Sequence, residues 1–270
     1  MEQTDSLERR RGLDGFQLKL LALVIMTIDH IHYFGSTLTD VPLILTLIGR
    51  IAAPIFVFFV AEGFAHTRNR GKYLLRLYIG ATLMQLGNLL VNHFFPLPGG
   101  AITMNGIFST MTCIVICLWW IENCRKAKRE GKYGRAVLYV LALIVFFLSF
   151  LPVYAVSSLS LTAVRVLLVV LPSPVLCEGG FVFVLLGVGF YYCRNSKKAI
   201  AVFYTAWIAV IVLLSGITAY NIQFAFFTWL ALPFILLYNG QRGRGMKYLF
   251  YIYYPAHVYL FAIAASLLGR

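Results

Sequence analysis

Along its 270 residues the chain returns again and again to unbroken apolar runs of about 20 residues, the length a helix needs to cross a hydrocarbon core of about 30 Å. We place such spans at roughly 16–34, 42–65, 73–95, 101–121, 136–152, 179–193, 199–216, 223–238 and 247–268. Backbone polar groups left unpaired in lipid are too costly, so segments of this kind are helices or strands of a closed barrel. Barrel strands alternate in hydropathy and are about half this length, so helices are the reading. The composition agrees: 60% of residues are hydrophobic and only 12% charged, against roughly 25% charged in soluble domains. The expected fold class is therefore all-α, a polytopic membrane bundle of about nine transmembrane helices (range eight to ten) in one domain over 13–270. Residues 1–12 read as a cytoplasmic tail. The first span follows a charged leader and reads as retained rather than cleaved.

A net charge of +13 invites a nucleic-acid reading, but the cations lie in short clusters between spans. These are Arg9 to Arg11; Arg68, Arg70 and Lys72; Arg125, Lys126, Lys128 and Arg129; Arg194, Lys197 and Lys198; and Arg242, Arg244 and Lys247. The 35–41, 92–100 and 217–222 loops hold no Lys or Arg. That is the positive-inside pattern, with the N-terminus in the cytoplasm of a cell-membrane protein. One segment breaks the alternation. Leu161 to Leu171 is short, carries Arg165 and is flanked by Pro152, Pro172 and Pro174. Reading it as re-entrant or interfacial keeps every basic cluster on one side and gives nine crossings. Non-helical backbone at membrane depth is tolerated only inside protein or beside a cavity, so this segment hints at one. The five cysteines have no metal-ligand spacing and suggest no disulfide framework.

Ionisable residues inside spans are functional candidates because burying them is costly. Asp29 and His30 lie in the outward half of the first span, and a carboxylate beside an imidazole suggests a general base. Successive residues point about 100° apart on a helix, so the two need not bond each other. The competing reading is capping at the outer boundary, and for His32, nearer water, it is the preferred one. Arg50, near the start of the second span, cannot shed its charge. In an antiparallel hairpin it falls at the depth of Asp29, which predicts an Asp29–Arg50 pair, catalytic or purely structural. Pro54 one turn on predicts a kink there. Glu62 and His66 are four apart at the basic end of the same span and can meet on one helix face. His257 stands in mid-span behind Pro255, Tyr251, Tyr253 and Tyr254. Asn105, Gln223 and Glu178 add polar groups at outer span ends; the first two suit hydrogen bonds between helices. His93 receives no role. No Walker, dinucleotide, zincin or Gly-x-Ser-x-Gly pattern is present.

Several motifs, in order from the first span to the last, resemble the TraX family. They are Thr-Ile-Asp-His-Ile-His (27–32), Ile-Gly-Arg-Ile-Ala-Ala-Pro through Val-Ala-Glu-Gly-Phe (48–64) with His66 and Thr67, and Lys-Tyr-Leu-Leu-Arg-Leu (72–77). Asn105 with Phe108, Leu-Tyr-Asn-Gly-Gln-Arg-Gly (237–243) and Lys-Tyr-Leu-Phe-Tyr-Ile-Tyr-Tyr-Pro-Ala-His (247–257) complete the set. That family takes its name from a conjugation-plasmid protein that N-acetylates the amino terminus of pilin. It is similar, more distantly, to heparan glucosaminide acetyltransferase and the OafA-like sugar O-acetyltransferases. Leu-Asp-Gly-Phe (13–16) followed by His30 resembles the OafA-like start, except that Gln17 and Lys19 stand near where that group has Arg.

The resemblance implies an acetyltransferase with acetyl-CoA as donor on the cytoplasmic side. It implies as acceptor an extracytoplasmic amine or hydroxyl, on a protein N-terminus, peptide or glycan. On that resemblance His30 is the base or acyl carrier, Asp29 and Arg50 orient it or neutralise charge, and His257 is a second base. Glu62, His66, Arg68, Arg70, Lys72 and Arg76 are the donor-binding candidates. Two other readings stand beside it. A proton-coupled transporter shows the same buried charges and broken segments. A non-catalytic membrane assembly protein is the third, against which the short outer loops count.

Overall fold

The computed structural model describes residues 12–157, 161–245 and 247–269. Among these, helices account for all regular structure, and the one β-type pairing is a lone bridge between Leu13 and Tyr238. The tail before Gly12 lies outside the described residues, as does the Arg165 side chain. In chain order the helices are α1 (Gly15–Gly35), α2 (Ile44–Gly49), α3 (Ala52–His66), α4 (Arg70–Phe94), α5 (Ile107–Arg129), α6 (Tyr133–Phe147) and α7 (Phe150–Ser157). They continue with α8 (Leu161–Val170), α9 (Gly180–Cys193), α10 (Lys197–Ser215), α11 (Ala219–Trp229), α12 (Ala231–Leu236) and α13 (Lys247–Leu268).

Eight helical stretches among the described residues are long and apolar enough to cross a membrane: α1, α2 with α3, α4, α5, α6 with α7, α10, α11 with α12, and α13. The ninth expected crossing is α9, whose 14 residues make about 21 Å of helix, short of a full hydrocarbon core. It packs against α3, α5 and α10 and leaves Phe181 and Leu185 exposed. The 161–171 segment is a ten-residue helix against α7 and α4, tied by the Tyr78 hydroxyl to the Val170 carbonyl at 2.8 Å. That is too short to cross.

Three spans are broken in the same way. Pro54, Pro152 and Pro233 each occupy the third position of the second piece, in α3, α7 and α12. A proline there cannot donate to the carbonyl four residues back, and its ring crowds that carbonyl. Those carbonyls belong to Arg50, Leu148 and Trp229, and each break falls at or beside them. The expected kink near Pro54 is thus a break at Arg50.

The core is apolar and shared by α1, α3, α5, α9, α10 and α13, with Leu18, Ile55, Phe64, Ile114, Leu118, Phe190 and Tyr204 fully buried. The outer faces are as apolar as the core. On α6, Val137, Leu138, Leu141 and Val145 are all exposed, as expected where the solvent is lipid. The start of α1 is fixed by a capping box: Asp14 accepts from Phe16 and Gln17 N–H, and the Gln17 side chain accepts from Asp14 N–H. The 237–241 segment lies alongside, exchanging backbone bonds with Leu13 and Gly15. Asp14 and Gln17 are therefore engaged as a helix cap.

Candidate functional site

Two polar groupings form where α1 meets α2 and α13. Gly49 makes the first possible: a Cβ there would lie 2.3 Å from the Asp29 Cβ, so only glycine lets α2 approach α1 this closely. Arg50 Nη2 donates to both Asp29 carboxylate oxygens at 3.0 and 3.1 Å and to Thr46 Oγ1 at 3.1 Å. Arg50 Nε donates to the Thr46 carbonyl at 3.2 Å, and the Thr46 hydroxyl donates to Asp29 Oδ1 at 2.5 Å. The expected Asp29–Arg50 pair is present, bridged by a threonine that nothing in the sequence pattern singles out. Arg50 also lies under the Phe224 ring of α11 at 5.7 Å.

The adjacent Asp29 and His30 do not form a dyad. One helical step turns His30 away from α2 and toward α13, where its Nδ1 lies 2.6 Å from His257 Nε2. The rings stack at 4.8 Å, and both residues are buried. The partners fix the tautomers. His257 Nδ1–H donates to the Tyr253 carbonyl at 2.8 Å, which can only accept. A neutral His257 then offers Nε2 as acceptor, so His30 Nδ1–H donates to it. His30 Nε2 keeps its lone pair and takes the Asn105 amide N–H at 2.8 Å. The result is a one-way chain from Asn105 through His30 and His257 to a backbone carbonyl.

Asn105 is presented by non-helical chain, because α5 starts at Ile107 rather than at the expected 101. Residues 101–106 are pinned from both sides. Asn88 Nδ2 donates to the Asn105 carbonyl at 2.8 Å, Asn92 exchanges two bonds with Thr103, and the Tyr33 hydroxyl donates to the Ile102 carbonyl. At the start of α5, Gly106 N–H donates to Glu178 Oε2 at 2.7 Å and the Thr110 hydroxyl to the Glu178 carbonyl. A carboxylate at a helix N-terminus is favourably placed against the helix dipole. Buried Tyr254 lies beside both Glu178 and Asn105. The Asn88 Oδ1 atom is buried without a partner among the described residues. Asn105 and Glu178 were visible in the sequence as polar span ends; Asn88 and Thr46 were missed. Gln223 is exposed and makes no hydrogen bond among the described residues.

The second set of expected residues stays at the basic end. His66 Nδ1 donates to the Glu62 carbonyl at 2.9 Å and lies 3.6 Å from its carboxylate, so these two do meet on one helix face. Arg70 lies over the Phe64 ring at 4.4 Å. Arg68 and Lys72 are exposed, and exposed Arg76 lies beside Tyr73 and Tyr251. A concave feature at this end is lined by Glu122, Arg125, Lys128, Arg129, Tyr133, Tyr191, Tyr192, Arg194 and Asn195, and a smaller one beside it by Lys126, Glu130, Lys132 and Arg135 among others.

Among the described residues no group of His, Cys, Asp and Glu could hold a metal ion, and all five cysteines are free. Cys113 and Cys117 are buried on α5 as small core residues.

Compared with known proteins, residues 14–265 match the family model described as "TraX protein". The chain is 26% identical over 276 residues to the "Probable fimbrial assembly protein FimC, serogroup H1" of Dichelobacter nodosus, covering 97% of this chain and 100% of that protein. No solved structure matches.

Proposed function

The chain belongs to the TraX family, and from that premise we propose that it is a membrane acetyltransferase. In this reading it moves an acetyl group from acetyl-CoA to an amine or hydroxyl on the far side of the bilayer. The fimbrial relative and the family's pilin link favour the amino terminus of a pilin-like protein as acceptor. The basic end, with its clustered cations, is the cytoplasmic end by the positive-inside rule.

The observation that supports the reading is the directed chain through His30. Its Nε2 is the one imidazole lone pair in the chain that faces a displaceable donor, Asn105. An attacking N–H or O–H takes the place of the Asn105 amide. As the nucleophile bonds to the thioester carbon, its proton passes to His30 Nε2. The positive charge is shared with His257 through the 2.6 Å contact, and the Tyr253 carbonyl steadies the far imidazole. When the C–S bond breaks, the proton leaves His30 with the thiolate. A positioned base of this kind contributes about 10²–10⁴-fold to rate. The Arg50–Asp29 ion pair lies one helical step away and orients the end of α1.

The test is calorimetric binding of acetyl-CoA to the purified, detergent-solubilised chain beside His30→Ala, with thiol release followed in both. We expect both to bind, with CoA competing, and thiol release to fall at least 100-fold in the variant. Well-folded protein that binds no acetyl-CoA ends this reading.

A further inference from the structure

The groove at the basic end encloses about 700 Å³ between the C-terminal turns of α5 and α9 and the start of α6. Four cations line it, Arg125, Lys128, Arg129 and Arg194, against one carboxylate, Glu122. Two of the guanidiniums are held in place by tyrosine rings. Arg125 lies 4.3 Å from the Tyr192 ring centre and Arg194 lies 4.2 Å from that of Tyr191, and Arg194 Nη1 also donates to the Tyr191 carbonyl at 2.6 Å. A guanidinium stacked on a ring keeps its edge N–H groups free for an anion. Lys128 and Arg129 have no ion-pair partner among the described residues. The neighbouring cations differ. Lys132 and Lys126 lie 2.6 and 3.9 Å from Glu130, whose carboxyl is held below its ordinary range by the Lys132 hydrogen bond. Arg68, Lys72, Arg242 and Arg244 at the same end likewise lack an ion-pair partner among the described residues, and the groove differs from them in gathering its cations around a concavity. A concave cluster of four cations with three tyrosine rings is chemistry for a ligand that carries several phosphates and an aromatic base.

We propose that this groove holds the phosphate-bearing nucleotide end of the acyl donor, a refinement that rests on the acetyltransferase reading. It replaces the Arg68–Arg76 cluster as the main anion site. The short helix α9 supplies the geometry. Glu178, beside Asn105 and Tyr254, lies two residues before its start and Tyr192 lies in the groove at its last turn, so the two sites are separated by about the 21 Å length of its 14 residues. A ligand seated in the groove therefore needs a long arm between its anionic head and its reactive group. Ile114 and Leu118 on α5 and Phe190 on α9 are all fully buried, so in this proposal the arm enters by displacing side chains of that core.

The experiment titrates adenosine 3′,5′-bisphosphate and CoA into the full chain in neutral detergent, in the wild type, Lys128→Gln/Arg129→Gln, and Arg125→Gln/Arg194→Gln. The Lys128/Arg129 pair is exposed and free of internal partners, so that variant folds even where loss of Arg194 disturbs α9. Arg242→Gln/Arg244→Gln, on another basic loop, is the control. We expect each groove variant to raise both Kd values at least tenfold and the control to leave them within twofold. Wild type that binds both ligands, with groove variants unchanged or with Arg68→Gln/Arg70→Gln carrying the loss instead, overturns the groove and spares the acetyltransferase. A wild type that binds neither ligand sinks both. If it instead retains cardiolipin by native mass spectrometry in a groove-dependent way, the same phosphate chemistry belongs to a lipid headgroup and the donor assignment is refuted.

Discussion

The Asp29–Arg50 pair gives a test that depends on no assumed activity. Breaking a fully buried ion pair by removing one partner costs about 3–5 kcal/mol, whereas an exposed pair is worth about 0–1 kcal/mol. Here the Asp29 side chain is 18% exposed and that of Arg50 40%, which places the pair between these limits. Arg50→Gln leaves a mostly buried carboxylate with only the Thr46 hydroxyl, and we expect a loss of about 2 kcal/mol. Asp29→Asn leaves the more accessible guanidinium, and about 1 kcal/mol is expected. The double variant replaces two charges by two amides that can still bond each other and Thr46. It should lie about 1 kcal/mol above the sum of the singles. At roughly 2–4 °C per kcal/mol for a chain of this size, Arg50→Gln lowers the thermal midpoint by about 4–8 °C. Thermal unfolding in one fixed detergent, read by intrinsic fluorescence, measures all four proteins. Strict additivity would mean that the two residues do not act as a pair, and would refute their ion pair as the contact that joins α2 to α1.

Three further outcomes follow from the same geometry. Gly49→Ala places a methyl carbon 2.3 Å from the Asp29 Cβ, which is backbone-anchored and cannot swing away. A loss of about 1–3 kcal/mol is expected, and an unchanged melting curve would contradict it. His257→Gln keeps an acceptor for His30 Nδ1–H, whereas His257→Leu strands that donor in a buried site at about 1–3 kcal/mol. Thiol release from acetyl-CoA should therefore fall about 5- to 150-fold in the leucine variant and clearly less in the glutamine one; equal losses would discard the tautomer chain. Single cysteines at Glu130 and Asp40, in a background lacking the five native thiols, should react with a membrane-impermeant maleimide from opposite sides, Asp40→Cys from outside the cell. Labelling of both from one side would refute the three crossings placed between them.

The spans could be read from sequence because their solvent is lipid, and a helix in lipid must be apolar over a length set by the bilayer. Charge balance carried the Asp29–Arg50 pair as well. Two opposite charges at equal depth in adjacent antiparallel helices have few other partners, and a permanent guanidinium has to find one. Depth was legible, but direction around the helix was not. His30 and His257 are 227 residues apart in the chain, and each looked like a separate base. Only the packing of α13 on α1 turns them into one chain and leaves Asp29 to α2. Asn105 was hidden differently: an apolar run that begins at 101 conceals six non-helical residues, because hydropathy measures transfer into lipid and says nothing of backbone conformation. The groove has the same origin. Arg125, Lys128 and Arg129 belong to one loop cluster and Arg194 to another, and in sequence both read only as basic loops on one side of the bilayer. They converge because α5 and α9 run in the same direction and end together, a relation that no local pattern encodes. The tyrosines that hold the guanidiniums belong to the end of α9, where aromatic residues are common at a membrane boundary. The boundary reading and the site reading of those tyrosines use the same physics, an apolar ring with a polar neighbour, and only the concave arrangement separates them.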